Sequence, residues 1–286
     1  MIGPLRAHPG FRWGQRPLLM GVMNLTPDSF SDGGRINGVE QAVRTASRLL
    51  AQGADVLDLG GQSTRPGAEE VGVAGELRRL LPALVAIRAA HPQATLSVDT
   101  FHAEVAEAAL AAGADWVNDV HGASCLRDPA MAPLVAQRGC PYVLMHSRGD
   151  SRSMDGLADY ADVLAEVRGE LENATTALLD AGVRAEQIVW DPGLGFAKTT
   201  EHNLELLRRL AELATGGYPL LLAPSRKRFI GAVLNEPRPR ARLWGTASVC
   251  ALAVGQGVAV LRVHDVGPIA QVVRMASAWA GSDGQR

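Results

Sequence analysis

Short apolar runs recur along the chain, and each is followed by a polar or glycine-rich stretch and then by a longer segment with helical spacing. Apolar runs of about four to eight residues bounded by turn residues are typical of buried strands, whereas apolar positions at intervals of three and four indicate amphipathic helices. The pattern predicts eight strands, over residues 18–23, 55–59, 95–98, 115–118, 142–145, 187–190, 220–223 and 258–263.

Helices are predicted after each of these strands, over residues 39–52, 75–90, 103–112, 128–137, 157–181, 200–213, 240–255 and 266–280. Three of them are followed by Gly53, Gly113 and Gly182, where a left-handed residue would end the helix before the next strand. Alternating strands and helices indicate parallel strands joined by right-handed crossovers. The same alternation also allows an open doubly wound sheet, but the G-x-G-x-x-G fingerprint of that fold does not follow the first strand.

We therefore predict one α/β domain, an eight-stranded parallel (β/α)8 TIM barrel over residues 18–280. Residues 1–17 are expected to form an N-terminal cap segment, and residues 281–286 a disordered tail. A total of 286 residues suits this assignment, since such barrels need roughly 250 residues.

Net charge, apolar stretches and cysteine spacing limit the kinds of partner that the protein can have. The net charge is −2 and no long run of Lys or Arg occurs, which argues against nucleic acid or an anionic membrane surface as the partner. No apolar stretch is long enough to span a bilayer, and the first 17 residues lack the apolar centre of a signal peptide. Three widely spaced cysteines, Cys125, Cys140 and Cys250, predict a reducing cytoplasm. A small molecule is the expected substrate.

Polar side chains stand at or just after the end of almost every predicted strand. Because the carboxyl ends of barrel strands surround one mouth, we expect these side chains to converge there. They include Asn24, Asp58, Ser63, Asp99, Asn118, Asp119, His146, Asp191, Lys198, Ser225, Arg226, Lys227, Arg262 and His264.

Each of these residues alone has a simpler interpretation. Asp265, for example, would only cap the last helix, and His146 would be a hydrogen-bonded structural residue. Their joint occurrence at one rim favours a binding site. By their chemistry these residues fall into two sets. Asp99, Asn118, Asp191 and Lys227 suit a planar heterocycle, whereas Arg65, Arg262 and His264 suit a phosphate-type anion.

Seven segments occur in the order in which the dihydropteroate synthase family has them, and the chain resembles that family from residue 18 to about residue 266. The segments are MNLTPDSFSDGG, GGQSTRPGA, SVDT, VNDV, DPGLGFAKT, SRK and RVHDV. The resemblance implies a (β/α)8 barrel that condenses 6-hydroxymethyl-7,8-dihydropterin diphosphate with p-aminobenzoate, giving 7,8-dihydropteroate and diphosphate in folate biosynthesis. It also implies SN1-like loss of diphosphate, Mg2+ as cofactor, a homodimer and competition by sulfonamides.

The resemblance also assigns roles to individual residues. For the pterin, the contacts implied are Asp99, Asn118, Met145, Asp191 and Lys227. For p-aminobenzoate, they are Thr64, Arg65, Pro66, Phe196, Ser225 and Lys227. Asn24 would bind Mg2+, and Arg262 with His264 would hold the diphosphate. The catalytic set implied is Asp99, Lys227, Arg262 and His264, and residues 28–30 belong to a loop that closes over diphosphate.

Three positions differ from the family pattern: Gln62 replaces a usual Glu, Ala197 a usual Gly and Ala223 a usual Gly. We expect activity to survive these changes, with altered substrate affinity. Two alternatives remain: a pterin-binding paralogue without turnover, and a barrel like those of pterin-dependent methyltransferases. The second is disfavoured because Asn24, Arg65, Lys227 and His264 would have no use there.

Overall fold

The computed structural model describes residues 16–25, 35–63, 69–123 and 127–281. Its strands are β1 Leu18–Asn24, β2 Val56–Gly60, β3 Thr95–Asp99, β4 Trp116–Asp119, β5 Tyr142–Met145, β6 Ile188–Asp191, β7 Leu221–Leu222 and β8 Val260–Val263. They form one eight-stranded sheet in the order β6-β5-β4-β3-β2-β1-β8-β7. Every pairing is parallel. The two edge strands meet at a parallel bridge between Trp190 and Leu220, so the predicted (β/α)8 barrel is confirmed.

Helices surround this sheet. They are α1 Arg35–Ala51, α2 Gly72–Ala90, α3 Ala103–Ala111, α4 Met131–Arg138, α5 Val163–Asp180, α6 Thr200–Arg208, α7 Leu210–Ala214, α8 Arg228–Leu234, α9 Leu243–Gly255 and α10 Val266–Trp279. The predicted left-handed positions are confirmed, since φ is +100° at Gly53, +105° at Gly113 and +92° at Gly182. Within the described ranges, no helix combines the length and apolar character needed to cross a bilayer.

Two helix predictions were wrong in detail, and one short helix was missed. The predicted helix 157–181 begins at Val163, because Asp162 caps it by accepting hydrogen bonds from the backbone N–H groups of Leu164 and Ala165. The predicted helix 200–213 is interrupted at Arg209, whose φ and ψ of −108° and 19° are not helical. The short helix α8 was not predicted. The remaining helix and strand limits agree to within a few residues.

Side chains of the strands divide between two apolar layers. Outward-facing residues such as Leu57, Leu96 and Leu261 pack against the helices in one large cluster. Inward-facing residues fill the lower part of the barrel, and these are Leu18, Met20, Val56, Trp116, Val143, Val189, Leu221, Ala223 and Val260. This alternation follows from the two-residue period of a strand. The barrel interior is therefore a packed core below the mouth.

Candidate active site

The inward face of four strands changes from apolar to polar within two residues. Val56, Trp116, Val189 and Val260 belong to the inner apolar cluster, and the next side chains on the same face are Asp58, Asn118, Asp191 and Arg262. Because successive inward side chains lie about two rises further along the strand, the polar set forms a layer above the core. These four polar residues, each near the end of its strand, therefore lie at the same mouth of the barrel.

Arg262 is the centre of this polar layer. Its Nε donates to Oδ2 of Asp58 at 2.6 Å, and its Nη2 donates to Oδ2 of Asp99 at 2.5 Å. The amide of Asn118 donates to the same Asp58 oxygen at 3.1 Å. Asp58 is fully buried, and its Oδ1 accepts no hydrogen bond from the described residues. Strands β2, β3, β4 and β8 are thereby joined through their side chains.

The charge state of this network follows from burial. Burial raises the pKa of Asp99, and the neighbouring carboxylates raise it further, while Arg262 and Lys227 act against them. Burial lowers the pKa of the Arg262 guanidinium, but Asp58 and Asp99 raise it by more than that. Arg262 is therefore a fixed cation, but its charge does not fully offset the effect of burial on the pKa of Asp99.

Asp191 and Lys227 form a second charged pair of groups at the mouth. Asp191 is buried, its Oδ1 accepts a hydrogen bond of 2.8 Å from the backbone N–H of Gly193, and burial raises its pKa. Burial also lowers the pKa of Lys227 to about 8, against the attraction of Asp191. The Lys227 ammonium lies 4.3 Å from the centroid of the Phe196 ring, a cation–π contact.

An apolar platform borders these charges. Phe101, Val120 and Met145 are buried together, and Phe196 packs against them. The structure thus brings together Met145, assigned by the resemblance to the pterin, and Phe196, assigned to p-aminobenzoate. Phe101 and Val120 were missed, although both lie within two residues of the end of a strand. Flat apolar side chains beside convergent polar groups are what a small planar ligand requires.

The ends of β7 and β8 meet through Ser225 and His264. The backbone N–H of His264 donates to Ser225 Oγ at 3.1 Å, and His264 Nδ1 lies 2.9 Å from the same oxygen. Arg226 forms a bidentate pair with Asp265 at 3.0 and 2.7 Å. The interpretation of Asp265 as only a helix cap is wrong, because its side chain caps no helix and is bound by Arg226 instead.

Asn24 is the last residue of β1 and is aligned with Gly60 of β2. It lies half-buried at the mouth end of its strand. Thr64, Arg65 and Pro66 lie outside the described residues, as do residues 28–30 of the first loop. The prediction for these positions stays a prediction.

Gln62 is held by its own loop. Its Nε2 donates to the carbonyl oxygens of Ser63 and Glu69 at 2.8 and 3.1 Å, and its Oε1 accepts from the N–H of Val71 at 2.8 Å. A carboxylate at this position would offer no donor for the two carbonyls. The change from the family pattern therefore matches the surrounding backbone in this chain.

Other polar residues at the strand ends serve the structure. Buried Asp119 accepts from the hydroxyl of Tyr142 at 2.7 Å and from the N–H of His121 at 2.8 Å. His146, also buried, bridges Lys198 Nζ and Glu170 Oε2 at 2.9 Å each, and burial lowers its pKa to about 4. Lys198 donates to the carbonyl of Phe196 at 3.0 Å. These contacts stabilise the loops that carry the site.

One buried carboxyl was missed by the sequence analysis. Glu76 of α2 is 1% exposed and lies against Gly61 and Thr100. Burial raises its pKa to about 7, although a hydrogen bond with Thr100 lowers it. No local pattern marks this residue, since a Glu in a helix of mixed polarity is ordinarily solvent-exposed.

Comparison with known proteins gives three kinds of match. A family model described as "Pterin binding enzyme" matches residues 20–264. The dihydropteroate synthase of Synechocystis sp. is 46% identical over 268 residues, which cover 94% of this chain and 92% of that protein.

Two solved structures show the same similarity in three dimensions. Dihydropteroate synthase from Clostridium difficile, solved in the presence of pteroic acid, has a TM-score of 0.87 and 40% identity, covering 94% of this chain and 98% of that one. The Yersinia pestis enzyme in a sulfonamide drug complex has a TM-score of 0.88 and 36% identity, covering 95% and 98%.

Proposed function

The chain belongs to the dihydropteroate synthase family, and we propose that the barrel mouth condenses 6-hydroxymethyl-7,8-dihydropterin diphosphate with p-aminobenzoate. The observation that carries this proposal is the layer of Asp58, Asn118, Asp191 and Arg262 directly above the apolar core, with Asp99 bound to Arg262. This layer offers fixed donors and acceptors of both charges at one opening.

We assign the pterin to Asp191, Asn118, Met145 and Lys227. One oxygen of Asp191 is oriented by the N–H of Gly193, which fixes the plane in which the carboxylate accepts hydrogen bonds from a ring N–H and an amino group. A buried carboxylate with few partners is costly. Charge-assisted hydrogen bonds from a ligand, at about 1.5–3 kcal/mol each, offset that cost. The ligand thereby supplies hydrogen bonds that the Asp191 carboxylate does not receive from the protein.

The proposed reaction breaks the bond between the pterin methylene carbon and a diphosphate oxygen. Negative charge develops on the leaving diphosphate, where Arg262 and His264 stabilise it, and positive charge develops on the pterin, where the Asp99 carboxylate stabilises it. The aromatic amine of p-aminobenzoate then forms the new carbon–nitrogen bond and loses a proton. Preorganised charges of this kind account for much of catalysis in a site that excludes water. No protein nucleophile is required.

Mg2+ fits this arrangement through Asn24. Magnesium prefers oxygen ligands and is commonly bound by one or two protein groups together with substrate phosphates. In the described part of the chain, no three His, Cys, Asp or Glu side chains are grouped as metal ligands. The amide oxygen of Asn24 suits an ion that the diphosphate itself mostly coordinates. When bound, the ion neutralises charge on the diphosphate oxygens.

For p-aminobenzoate we assign Phe196, Lys227 and Ser225, together with Thr64, Arg65 and Pro66. The contact of Lys227 with the Phe196 ring places a cation beside an aromatic face, which suits an aromatic acid. The sulfonamide complex of the Yersinia pestis relative supports the proposal that sulfonamides compete with p-aminobenzoate here. Competition kinetics that are independent of the p-aminobenzoate concentration would contradict it.

The direct test is to combine the purified chain with Mg2+, the pterin diphosphate and p-aminobenzoate and to measure dihydropteroate and released diphosphate. We expect both products in equal amounts, and their loss when Mg2+ is chelated. Pterin binding without product would instead support the paralogue without turnover. Methyl transfer from a methylated pterin would support the methyltransferase-like alternative.

We also propose a homodimer, formed through α9 and α10. Four large apolar side chains on these neighbouring helices are exposed to solvent. Their exposed fractions are 75% for Trp244, 71% for Leu252, 64% for Met275 and 86% for Trp279. Several large apolar side chains exposed on two neighbouring helices favour a protein interface there. Sedimentation should give a dimer for the parent chain and a monomer for the double variant Trp244→Glu/Trp279→Glu. A parent monomer at micromolar concentration would contradict the proposal.

A cytoplasmic location is proposed on the state of the cysteines. Cys140 and Cys250 are free buried thiols, as is usual in a reducing compartment. Fractionation of cells that express the tagged chain should recover it with cytoplasmic markers, and recovery with periplasmic or membrane markers would contradict the proposal.

A further inference from the structure

The loop between β7 and α8 has an unusual backbone. Arg226 lies between Ser225 and Lys227 and has φ of +61°. Residues other than glycine are disfavoured in this left-handed region, because their Cβ comes too close to the following carbonyl oxygen. Such conformations persist where the surroundings impose them, and they concentrate at functional sites. The question is therefore which groups hold Arg226 in this conformation.

Two residues at the start of α9, one just before it and one in its first turn, hold both polar groups of the Arg226 backbone. Arg242, which directly precedes α9, donates from Nη1 to the carbonyl of Arg226 at 3.0 Å and to that of Lys227 at 3.4 Å. Thr246, one helical turn later, accepts from the N–H of Arg226 through Oγ1 at 3.1 Å. Both Arg242 and Thr246 are buried. Both the N–H and the carbonyl of the left-handed residue Arg226 are thus hydrogen-bonded to buried side chains.

Arg242 also ties the far end of α8 to this loop. Its Nε donates to the carbonyl of Glu236 at 2.9 Å, and its Nη2 donates to that of Pro237 at 2.7 Å. All these acceptors are backbone carbonyls. The guanidinium passes close to Gly231, where an added Cβ would stand 2.5 Å from Nε. Space for the arginine is therefore kept open by a glycine in α8.

The side chain of Arg226 extends the same frame toward β8. Its bidentate pair with Asp265 and the hydrogen bond from His264 to Ser225 join the two strand ends. Ser225 and Lys227 are the residues assigned above to p-aminobenzoate and pterin, and His264 is assigned to diphosphate. Ser225 and Lys227 flank Arg226, so the direction of their side chains depends on the turn at Arg226, and Ser225 is in turn bonded to His264.

We propose that Arg242, acting with Thr246, is a positioning residue that fixes the left-handed turn at Arg226 and so aims Ser225 and Lys227 into the mouth. This inference rests on the proposed function. Neither Arg242 nor Thr246 touches substrate in this account. Their effect is carried by the backbone of the loop.

The test compares KM values with thermal stability. Arg242→Lys keeps the positive charge but loses the forked donors, and we expect KM for p-aminobenzoate to rise about tenfold or more. Thr246→Val removes only the acceptor for the Arg226 N–H, and a rise of about threefold is expected. Thr246→Ser restores the hydroxyl and should restore KM. A general loss of stability would not discriminate between Thr246→Val and Thr246→Ser in this way.

Gln187→Met is the matched control. Gln187 is also buried and donates to two backbone carbonyls, those of Val135 and Cys140 at 3.0 and 2.8 Å, but it precedes β6 at the opposite end of the barrel. It should lower Tm while leaving KM within about twofold of the parent value.

The outcomes separate the two proposals. If the parent chain turns over and Arg242→Lys and Thr246→Val change Tm but not KM, as Gln187→Met does, the positioning role is wrong. If Arg242→Lys does not fold, Thr246→Val against Thr246→Ser decides alone. If the parent chain forms no dihydropteroate, the proposed function fails, and the positioning role fails with it.

Discussion

Arg262 and Asp58 are joined by a hydrogen bond of 2.6 Å between Nε and Oδ2, although 204 residues separate them in the sequence. Asp58 is fully buried below the mouth and also accepts from Asn118. The guanidinium proposed to face the diphosphate is therefore held from beneath by a carboxylate that no substrate reaches. Arg262 also donates from Nη2 to Asp99. The cation proposed to stabilise the diphosphate is therefore hydrogen-bonded to the carboxylate proposed to stabilise the pterin cation.

Replacing Asp58 by Asn should lower kcat by about tenfold to a hundredfold. The amide introduced by this change would accept a hydrogen bond but carries no charge, so it holds the Arg262 guanidinium more weakly. A buried cation that loses one of its two ion pairs should also cost about 3–5 kcal/mol of unfolding free energy. Steady-state kinetics and denaturant unfolding measure the two effects. The control is Asp55→Asn, which disrupts the pair with Arg16 at the other end of the barrel and should leave kcat unchanged. A wild-type kcat in Asp58→Asn would refute the role of Asp58.

The pH dependence of kcat/KM should be bell-shaped. Asp99 must be ionised to stabilise the pterin cation, and burial raises its pKa above the usual range, so activity should increase as pH rises toward neutrality. Lys227 must be protonated, and burial lowers its pKa to about 8, so activity should decrease above that pH. In free enzyme, kcat/KM reports these groups. Lys227→Arg should flatten the basic limb. A basic limb that persists unchanged in that variant would exclude Lys227 as its origin.

Glu76→Gln should stabilise the protein at neutral and alkaline pH but not at pH 4. The pKa of Glu76 is raised from 4.5 to about 7 in the fold, so the native state holds an extra proton between these values. Its contribution to stability is present below pH 4.5 and is lost as pH rises through about 7.

The variant avoids this loss, and its unfolding free energy should exceed that of the parent by about 3 kcal/mol at pH 8 and by nearly nothing at pH 4. Urea unfolding at both pH values measures the difference. The exposed Glu107→Gln serves as control and should show the same small effect at each pH. An equal effect of Glu76→Gln at pH 4 and pH 8 would show that its carboxyl does not titrate as described.

Ala197→Gly should be close to neutral in stability, or stabilising. Ala197 has φ of +47° and is fully buried, so glycine relieves about 1–2 kcal/mol of left-handed strain and costs about 0.5–1 kcal/mol in chain entropy. Ala177→Gly, in an exposed part of α5, should instead destabilise by about 1 kcal/mol. Thermal unfolding compares them. Equal losses in the two variants would mean that the loop tolerates Ala197 without strain.

The barrel and its mouth were predictable because their signals are local. Each strand is a short apolar run, and the polar residue that ends it is placed by the chain direction, so Asp99, Asn118, Asp191 and Arg262 follow from the pattern. Gly53, Gly113 and Gly182 were predicted for the same reason, since a helix end is decided within a few residues.

What the sequence did not reveal depends on contacts between distant segments. Two examples are the hydrogen bond from Arg262 to Asp58 and the hydrogen bond from Arg242 to the carbonyl of Arg226. Both can be recognised only once the fold has brought the distant segments together. Helix α5 starts late because the Asp162 side chain caps it by accepting from two backbone N–H groups of its first turn. Asp265 was misassigned because a short-range rule for helix starts competes with a long-range ion pair to Arg226.

The most direct test of the account is calorimetric binding of the pterin diphosphate to Asp191→Ala and Asn24→Ala, each with and without Mg2+. Asp191→Ala should lose binding by about a hundredfold or more under both conditions, since the change removes charge-assisted hydrogen bonds to the ring. Asn24→Ala should bind like the parent without Mg2+ and more weakly with it. Parent-like binding by both variants under both conditions would contradict the assignment of this mouth as the pterin site.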